Sequence, residues 1–271
     1  MPDEEYYLRD LTANDWSEFK KMDDEAFDGE GQKEQWFIRG LSTPKSLSLV
    51  MVHKETKEFM GYYRVVLYGT LGYIQRIGVK PKFQGKGYGG ILMESAMSNL
   101  EKAGATKYIL YVLTDNETAI NLYKKYHFQV EFSTTQFEIP FTVLPKKPRG
   151  TCRHMDWGEI QLMSLRFGLN PYQIQSFFGQ ENQHVLVLTA LGQQLGVCRF
   201  NPDFPGAFPF KIRDKEYALD FIAHLVTFIT NKEFEAVKIT FDSQPELVNF
   251  LLEHKIPIKS KLYRMSSVVK L

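Results

Sequence analysis

Three features of the sequence predict two consecutive α+β modules, each built on a mixed, mostly antiparallel sheet. Strand-like stretches over 46–53, 59–68 and 73–79 are joined by turns too short for a helical crossover, so neighbours must run antiparallel. The third of these strands runs into a glycine-rich turn that opens a helix, and a further strand, helix and strand follow. The same order of elements returns after residue 150 with few matching residues, a repeat of pattern and not of sequence.

Taken in order, residues 5–11 alternate and predict a short strand. Asn14 and Asp15 then cap a helix running to Phe27, and a second helix spans about 31–41, closed by Pro44. The stretch 46–53 is a strand, the polar turn 54–57 makes a hairpin with 59–68, and 73–79 is the third strand. A helix over 87–103 carries Ile91, Leu92, Ala96 and Leu100 on one face, and Gly104 stops it. Then come a compact apolar strand at 107–113, a helix at 117–126 and a long strand at 128–139. Three prolines, basic residues and a glycine in 140–150 make this the best linker, dividing the chain into 1–140, 141–150 and 151–271. Beyond it the pattern predicts a helical region over 155–178, broken near Gly168 and Pro171, and strands at 184–190, 196–200 and 207–213. A helix at 217–229, a strand at 236–241, a helix from Pro245 to His254 and a last strand at 258–269 complete it.

The balance of lysine and arginine (33) against aspartate and glutamate (32) leaves a net charge of +1. No global field favours nucleic acid or an anionic membrane, and no basic aromatic strip is present. No run reaches the ~20 apolar residues of a membrane span. Cys152 and Cys198 stand in no C-x-x-C spacing, which speaks against a disulfide framework or a zinc site and fits a reducing, cytoplasmic setting. The six histidines are scattered without an H-x-x-x-H pair, so no metal is expected. The start Met1-Pro2-Asp3-Glu4-Glu5 is acidic and lacks an apolar core, unlike a signal peptide.

The most informative segment runs from Arg76 to Gly90 (RIGVKPKFQGKGYGG). A buried strand leads into Gly85, Gly87, Gly89 and Gly90, which let the backbone approach a ligand closely. The first helical N–H groups lack helical partners and carry the positive end of the helix dipole, a site suited to a pyrophosphate. Lys82 and Lys86 add charge. Gly85-x-Gly87-x-x-Gly90 satisfies the dinucleotide pattern, but its context fails: the strand before it lies in an antiparallel run, and Ala105 stands where an acidic residue is needed. The P-loop pattern is absent, because Ile91 and Leu92 follow Gly90.

Gln84-Gly85-Lys86-Gly87-Tyr88-Gly89, preceded by a strand ending Ile77-Gly78-Val79, resembles the Q/R-x-x-G-x-G/A signature of the GNAT N-acetyltransferases. About thirty residues on, Asn116-x-x-Ala119-x-x-Leu122-Tyr123-x-x-x-x-Phe128 resembles the family's second signature. The resemblance covers about residues 5–140 and implies the GNAT acyltransferase fold, in two tandem copies if the second half follows suit. It also implies acetyl-CoA as cosubstrate and a primary amine as acceptor. Backbone groups of Ile77, Gly78 and Val79 would bond the pantetheine arm. N–H groups of Gln84, Gly85, Lys86, Gly87, Tyr88 and Gly89 would hold the pyrophosphate. Asn116 and Ala119 would contact the cofactor, and Tyr123 would lie near the thioester sulfur. His127 stands where the family usually has glycine, at a left-handed helix end that costs histidine something.

Acetyl transfer needs a neutral amine, a donor for the developing oxyanion and a proton for the leaving thiolate. A backbone N–H of Gly78 or Val79 suits the second task, and the Tyr123 phenol the third. No carboxylate lies on the strand before the glycine loop, which offers Tyr73, Gln75 and Arg76. Asp23, Asp24 and Glu25 are the nearest by topology, and each also reads as a solvated helix charge. Aromatic residues Trp16, Trp36, Phe37, Tyr62, Tyr63, Tyr68 and Tyr73 are mostly core, with some available to line an acceptor pocket.

The expected function is transfer of acetyl to a small-molecule amine. The alternatives are a non-catalytic acyl-CoA sensor and an enzyme acting on a protein or peptide amine. The second half is expected to be a degenerate copy without a cofactor site. Its loop Asp214-Lys215-Glu216-Tyr217 lacks glycine and carries two carboxylates that would repel a pyrophosphate. Aligning the last helices sets Phe250 opposite Tyr123 and Ser243 opposite Asn116, and the expected role is structural, walling an acceptor cleft.

Overall fold

The computed structural model describes residues 5–27 and 31–269. The acidic start 1–5, read above against a signal peptide, lies outside the described residues except for Glu5. Among the described residues no helix is long and apolar enough to cross a membrane.

Two compact units share the chain. The first holds the described residues up to Val112, Asn116–Gln129 and those from Met265; the second holds Leu113–Asp115 and Val130–Arg264. The units are therefore not the consecutive segments 1–140 and 151–271. The long strand after Gln129 is drawn into the second unit by its pairing there, and the last residues return to the first.

The first unit opens with β1 (Tyr6–Asp10), α1 (Trp16–Ala26), α2 (Glu34–Ser42), β2 (Ser46–His53) and β3 (Phe59–Tyr68). It continues with β4 (Leu71–Val79), α3 (Tyr88–Lys102), β5 (Lys107–Leu113) and α4 (Glu117–Lys125). Its strands lie in chain order, β1-β2-β3-β4-β5, antiparallel except for the parallel β4–β5 pair. The chain enters α1 through a short 3₁₀ turn at Ala13–Asp15. Asp15 accepts hydrogen bonds from the Thr12 N–H (2.8 Å) and hydroxyl (2.9 Å), so Thr12 heads the turn in place of Asn14.

Every residue of β3 is buried, because helices cover both faces. Alternate side chains divide between them. Tyr62 joins a core with Phe19, Met22 and Phe37 from α1 and α2, while Tyr63 bonds Ser95 and Asn99 on α3. On α3 the buried stripe is Leu92, Met93, Ala96 and Leu100, so Met93 takes the inward place expected for Ile91. Full burial of the leucine and methionine side chains in this stripe contributes about 1.5–3 kcal/mol each.

The second unit repeats this order. Its elements are β6 (Gln129–Pro140), β7 (Thr151–His154), α5 (Ile160–Phe167), α6 (Pro171–Gln175), β8 (His184–Ala190) and β9 (Gln193–Asn201). Then follow β10 (Gly206–Ile212), α7 (Ala218–Val226), β11 (Ala236–Asp242), α8 (Pro245–Glu253) and β12 (Ile258–Val268). The strand order is β12-β6-β11-β10-β9-β8-β7, with β10 and β11 parallel. The strand β7 was missed in the sequence; it pairs antiparallel with β8 and is the counterpart of β1.

Local details repeat as well. Lys80 donates its N–H to Met60 O (2.9 Å), and Arg213 donates its N–H to Leu195 O (2.8 Å). The next residue on each partner strand is a glycine, Gly61 or Gly196. A methyl group on either would press on a carbonyl of the neighbouring strand (Gly78 O or Lys211 O) and on a helix side chain (Leu92 or Phe221). After α4, His127 adopts φ 63° and Phe128 N–H bonds Tyr123 O (3.1 Å). After α8, Lys255 adopts φ 61° and Ile256 N–H bonds Leu251 O (3.1 Å). This register sets Leu251 opposite Tyr123 and Gln244 opposite Asn116. It corrects the expected Phe250 and Ser243 by one residue.

Candidate active site

The site begins where β4 and β5 part. They pair at Leu71↔Lys107, Gly72↔Tyr108 and Tyr73↔Ile109 and no further. A bulge at Gln75, visible as the register shift from Arg64↔Arg76 to Val65↔Ile74, bends β4 just beyond that point. The rest of β4 stays paired only with β3. Because Lys80 N–H points to β3, strand alternation turns the main-chain groups of Ile77 and Val79 to the other edge. That edge can bond an extended amide-bearing chain. Of the two N–H groups expected as oxyanion donors, that of Val79 faces this edge and that of Gly78 faces β3.

The chain then turns through a 3₁₀ segment, Pro81–Phe83, into the glycine loop. Gly85 (φ 74°) and Gly87 (φ 89°) are both left-handed, and Gly87 is the N-cap of α3. Around either glycine the space a Cβ would occupy is empty to 4 Å, so the conformation calls for glycine while packing does not. The result is an open cradle of main-chain N–H groups at a helix N-terminus, suited to a phosphate group.

Gln84 does not share in it. Its N–H bonds Pro81 O (3.1 Å) and its Nε2 donates to Val79 O (2.9 Å), so it buttresses the turn. This trims the expected N–H set to Gly85, Lys86, Gly87, Tyr88 and Gly89. The Tyr88 side chain is buried and donates to Glu5 (3.0 Å), which leaves its backbone for a ligand. Lys82 pairs with Glu58 (2.6 Å), while Lys86 lies over the Phe83 ring.

Helix α4 closes the site from beside α3. Leu122 lies against Gly89, and the Tyr126 hydroxyl donates to Gly90 O (3.1 Å) and Glu94 (2.9 Å). Asn116 caps α4: its Oδ1 accepts the Ala119 N–H (3.0 Å), so the Ala119 N–H is already used while the Asn116 Nδ2 remains a donor for a ligand. Tyr123 is buried, 7 % exposed, against Phe128, and burial pushes its phenol up to about 12. Among the described residues no hydrogen bond engages its hydroxyl, in contrast to Tyr126. It is therefore a neutral, uncommitted donor across the physiological range.

The three carboxylates near the end of α1 separate. Asp23 is fully buried and both its oxygens are filled, by Tyr62, by Arg76 (3.1 and 3.3 Å) and by the Gln32 N–H (2.5 Å). This corrects its reading as a solvated helix charge. Asp24 pairs with Lys20 through Oδ2, and Glu25 with Lys80 (3.3 Å).

Residues 7–128 match the sequence profile of the Acetyltransferase (GNAT) family. This segment is a GNAT-family domain. The match spans the open edge of β4, the glycine cradle and α4 in the order that the two motifs predict. A mycothiol acetyltransferase from Renibacterium salmoninarum is 27% identical over 114 residues, 40% of this chain and 32% of that relative. The chain thus spans about a third of that relative's length. Solved structures extend the likeness to both halves. A candidate acetyltransferase from Pyrococcus horikoshii superimposes with TM-score 0.79 at 14% identity, covering 98% of this chain and 90% of its own. A tandem GNAT protein from the clavulanic acid biosynthesis pathway gives 0.66 at 12%, covering 98% and 99%. The fold is the GNAT fold in two tandem copies.

The second copy differs at the corresponding place. There β10 and β11 pair only at Gly206↔Lys238 and Ala207↔Ile239 before parting. Gln244 fills the opened edge: its Nε2 donates to Phe210 O (2.9 Å) and its Oε1 accepts the Ile212 N–H (3.1 Å). Those groups are the counterparts of Ile77 O and Val79 N–H. In the loop before α7, Asp214 accepts the Glu216 N–H (3.0 Å), and Asp220 in the first turn is held by Arg149 (2.7 Å).

Proposed function

We propose that the chain transfers an acetyl group from acetyl-CoA to the primary amine of a small molecule, using the first unit alone. The observation that carries this reading is the open edge of β4 at Ile77 and Val79, followed directly by the glycine cradle at Gly85–Gly89, where no side chain fills the space around Gly85 and Gly87. An amide-bearing arm ending in a pyrophosphate fits that sequence of groups. Membership of residues 7–128 in the GNAT family supports acetyl-CoA, and a relative named for mycothiol supports a small acceptor.

When bound, the thioester supplies the activated acetyl group. Val79 N–H stabilises the oxyanion that develops as the amine attacks. As the C–N bond forms and the C–S bond breaks, Tyr123, neutral below about pH 12, would give its proton to the departing thiolate and regain one from the ammonium that the attacking amine becomes. The second unit takes no cofactor, since Gln244 fills its strand edge and its loop has no glycine cradle.

The test is thiol release from acetyl-CoA with a panel of amino acids, amino sugars, polyamines and a peptide N-terminus. Amine-dependent release with a small molecule is expected. Binding without release for any amine indicates a sensor, and release with the peptide alone moves the acceptor to proteins.

A further inference from the structure

Asp23 is the meeting point of four chain segments. It lies on α1, and its two oxygens accept from Tyr62 on β3, from Arg76 Nε and Nη2 on β4, and from the main-chain N–H of Gln32 ahead of α2. Gln32 ties the group further, donating through Nε2 to the Tyr62 hydroxyl (3.1 Å) and accepting from Arg64 (3.0 Å). Arg64 is itself buried and reaches the carbonyls of Trp36 and Phe37 on α2.

Arg76 stands between the bulge and the reacting edge, one residue before Ile77 and three before Val79. It is gripped from two directions: Asp23 bonds its guanidinium, and the Phe27 ring stacks on it at 3.7 Å. The end of α1 also lies flat on Gly78, where an added methyl would come within 2.8 Å of Phe27.

We infer that Asp23 is a positioning residue for acetyl transfer: through Arg76 and Tyr62 it fixes the bulged end of β4, and with it the Val79 N–H, against the segment that leads into α2. This rests on the proposed function. With both oxygens filled, Asp23 is no free base, so its contribution is geometric. Displacing a reacting group by about an ångström costs up to ~10²-fold in rate. The cofactor cradle at Gly85–Gly89 lies outside the network and keeps its form.

The test compares wild type with Tyr62→Phe, which removes one donor and leaves the ion pair, and with Asp23→Asn, which removes the charge. Thiol release is measured with the amine that the panel finds most active, acetyl-CoA affinity by calorimetry, and fold by circular dichroism. The inference predicts that kcat falls about 5–20-fold in Tyr62→Phe and further in Asp23→Asn. Acetyl-CoA affinity should stay within about twofold and the shape of the pH profile should hold. If Asp23→Asn does not fold, Tyr62→Phe decides alone. A folded Tyr62→Phe chain with wild-type kcat overturns the inference and leaves the proposed function standing. So does an Asp23→Asn variant that loses only the acidic limb of its pH profile, which would make Asp23 a proton acceptor. A wild-type chain that shows no amine-dependent release overturns both.

Discussion

Gly87→Glu is expected to weaken acetyl-CoA binding at least 100-fold while the chain stays folded. Gly87 caps α3 at φ 89°, and the space its Cβ would enter is empty to 4 Å. A glutamate there meets no protein atom, so the cost to folding is the backbone strain of a left-handed residue, about 1–2 kcal/mol. Its carboxylate, however, would stand in the cradle proposed for the pyrophosphate, and like charges at that place oppose binding directly. Gly104→Ala is the matching control. Gly104 also has positive φ (99°) and open space around it, but it lies past the far end of α3. Calorimetry should show full affinity in the control and none measurable in Gly87→Glu. Equal affinity in both variants would move the cofactor away from the glycine loop.

Tyr123→Phe is expected to lower turnover by ~10²–10⁴-fold with little change in acetyl-CoA affinity, since general acid catalysis is typically worth that much and only the hydroxyl is lost. Two tyrosines of this region have phenols pushed up to about 12, and their surroundings tell them apart. The Tyr126 hydroxyl is spent on Gly90 and Glu94, so Tyr126→Phe should change stability more than chemistry. The sign of the pH dependence follows from the raised value. The donating, protonated form of Tyr123 persists up to about pH 12, so its ionisation should produce no alkaline loss of rate in the neutral range. Steady-state kinetics on both variants separates the roles, and wild-type turnover in Tyr123→Phe would reduce that residue to packing.

The sequence carried the local layer of the fold well. The bounds of β2, β3, β5 and β8 coincide with the predicted strands, because polar turns and alternating or wholly apolar runs mark them. The glycine cradle was legible for the same reason: closely spaced glycines mark a turn of positive φ, which Gly85 and Gly87 adopt at least steric cost. What depended on distant partners was not legible. The four-residue β7 follows Gly150 directly, and only its pairing with β8 makes it a strand. Asp23 read as a solvated charge because its donors Tyr62 and Arg76 lie 39 and 53 residues away. Gln84 fitted the motif, yet its donors turn inward to Pro81 and Val79. The one-residue offset between the two copies came from aligning the last helices by their predicted positions, whereas the left-handed His127 and Lys255 that follow them set the register.

On the proposed reading, one of two similar copies holds the cofactor. The open edge of β4 and its glycine cradle argue for a site in the first. Gln244, spanning Phe210 O and Ile212 N–H, argues against one in the second. The stoichiometry of acetyl-CoA binding to the wild-type chain, measured by isothermal titration calorimetry, tests this most directly. One molecule per chain is the predicted result. Two per chain, or a single site that survives Gly87→Glu, would contradict it.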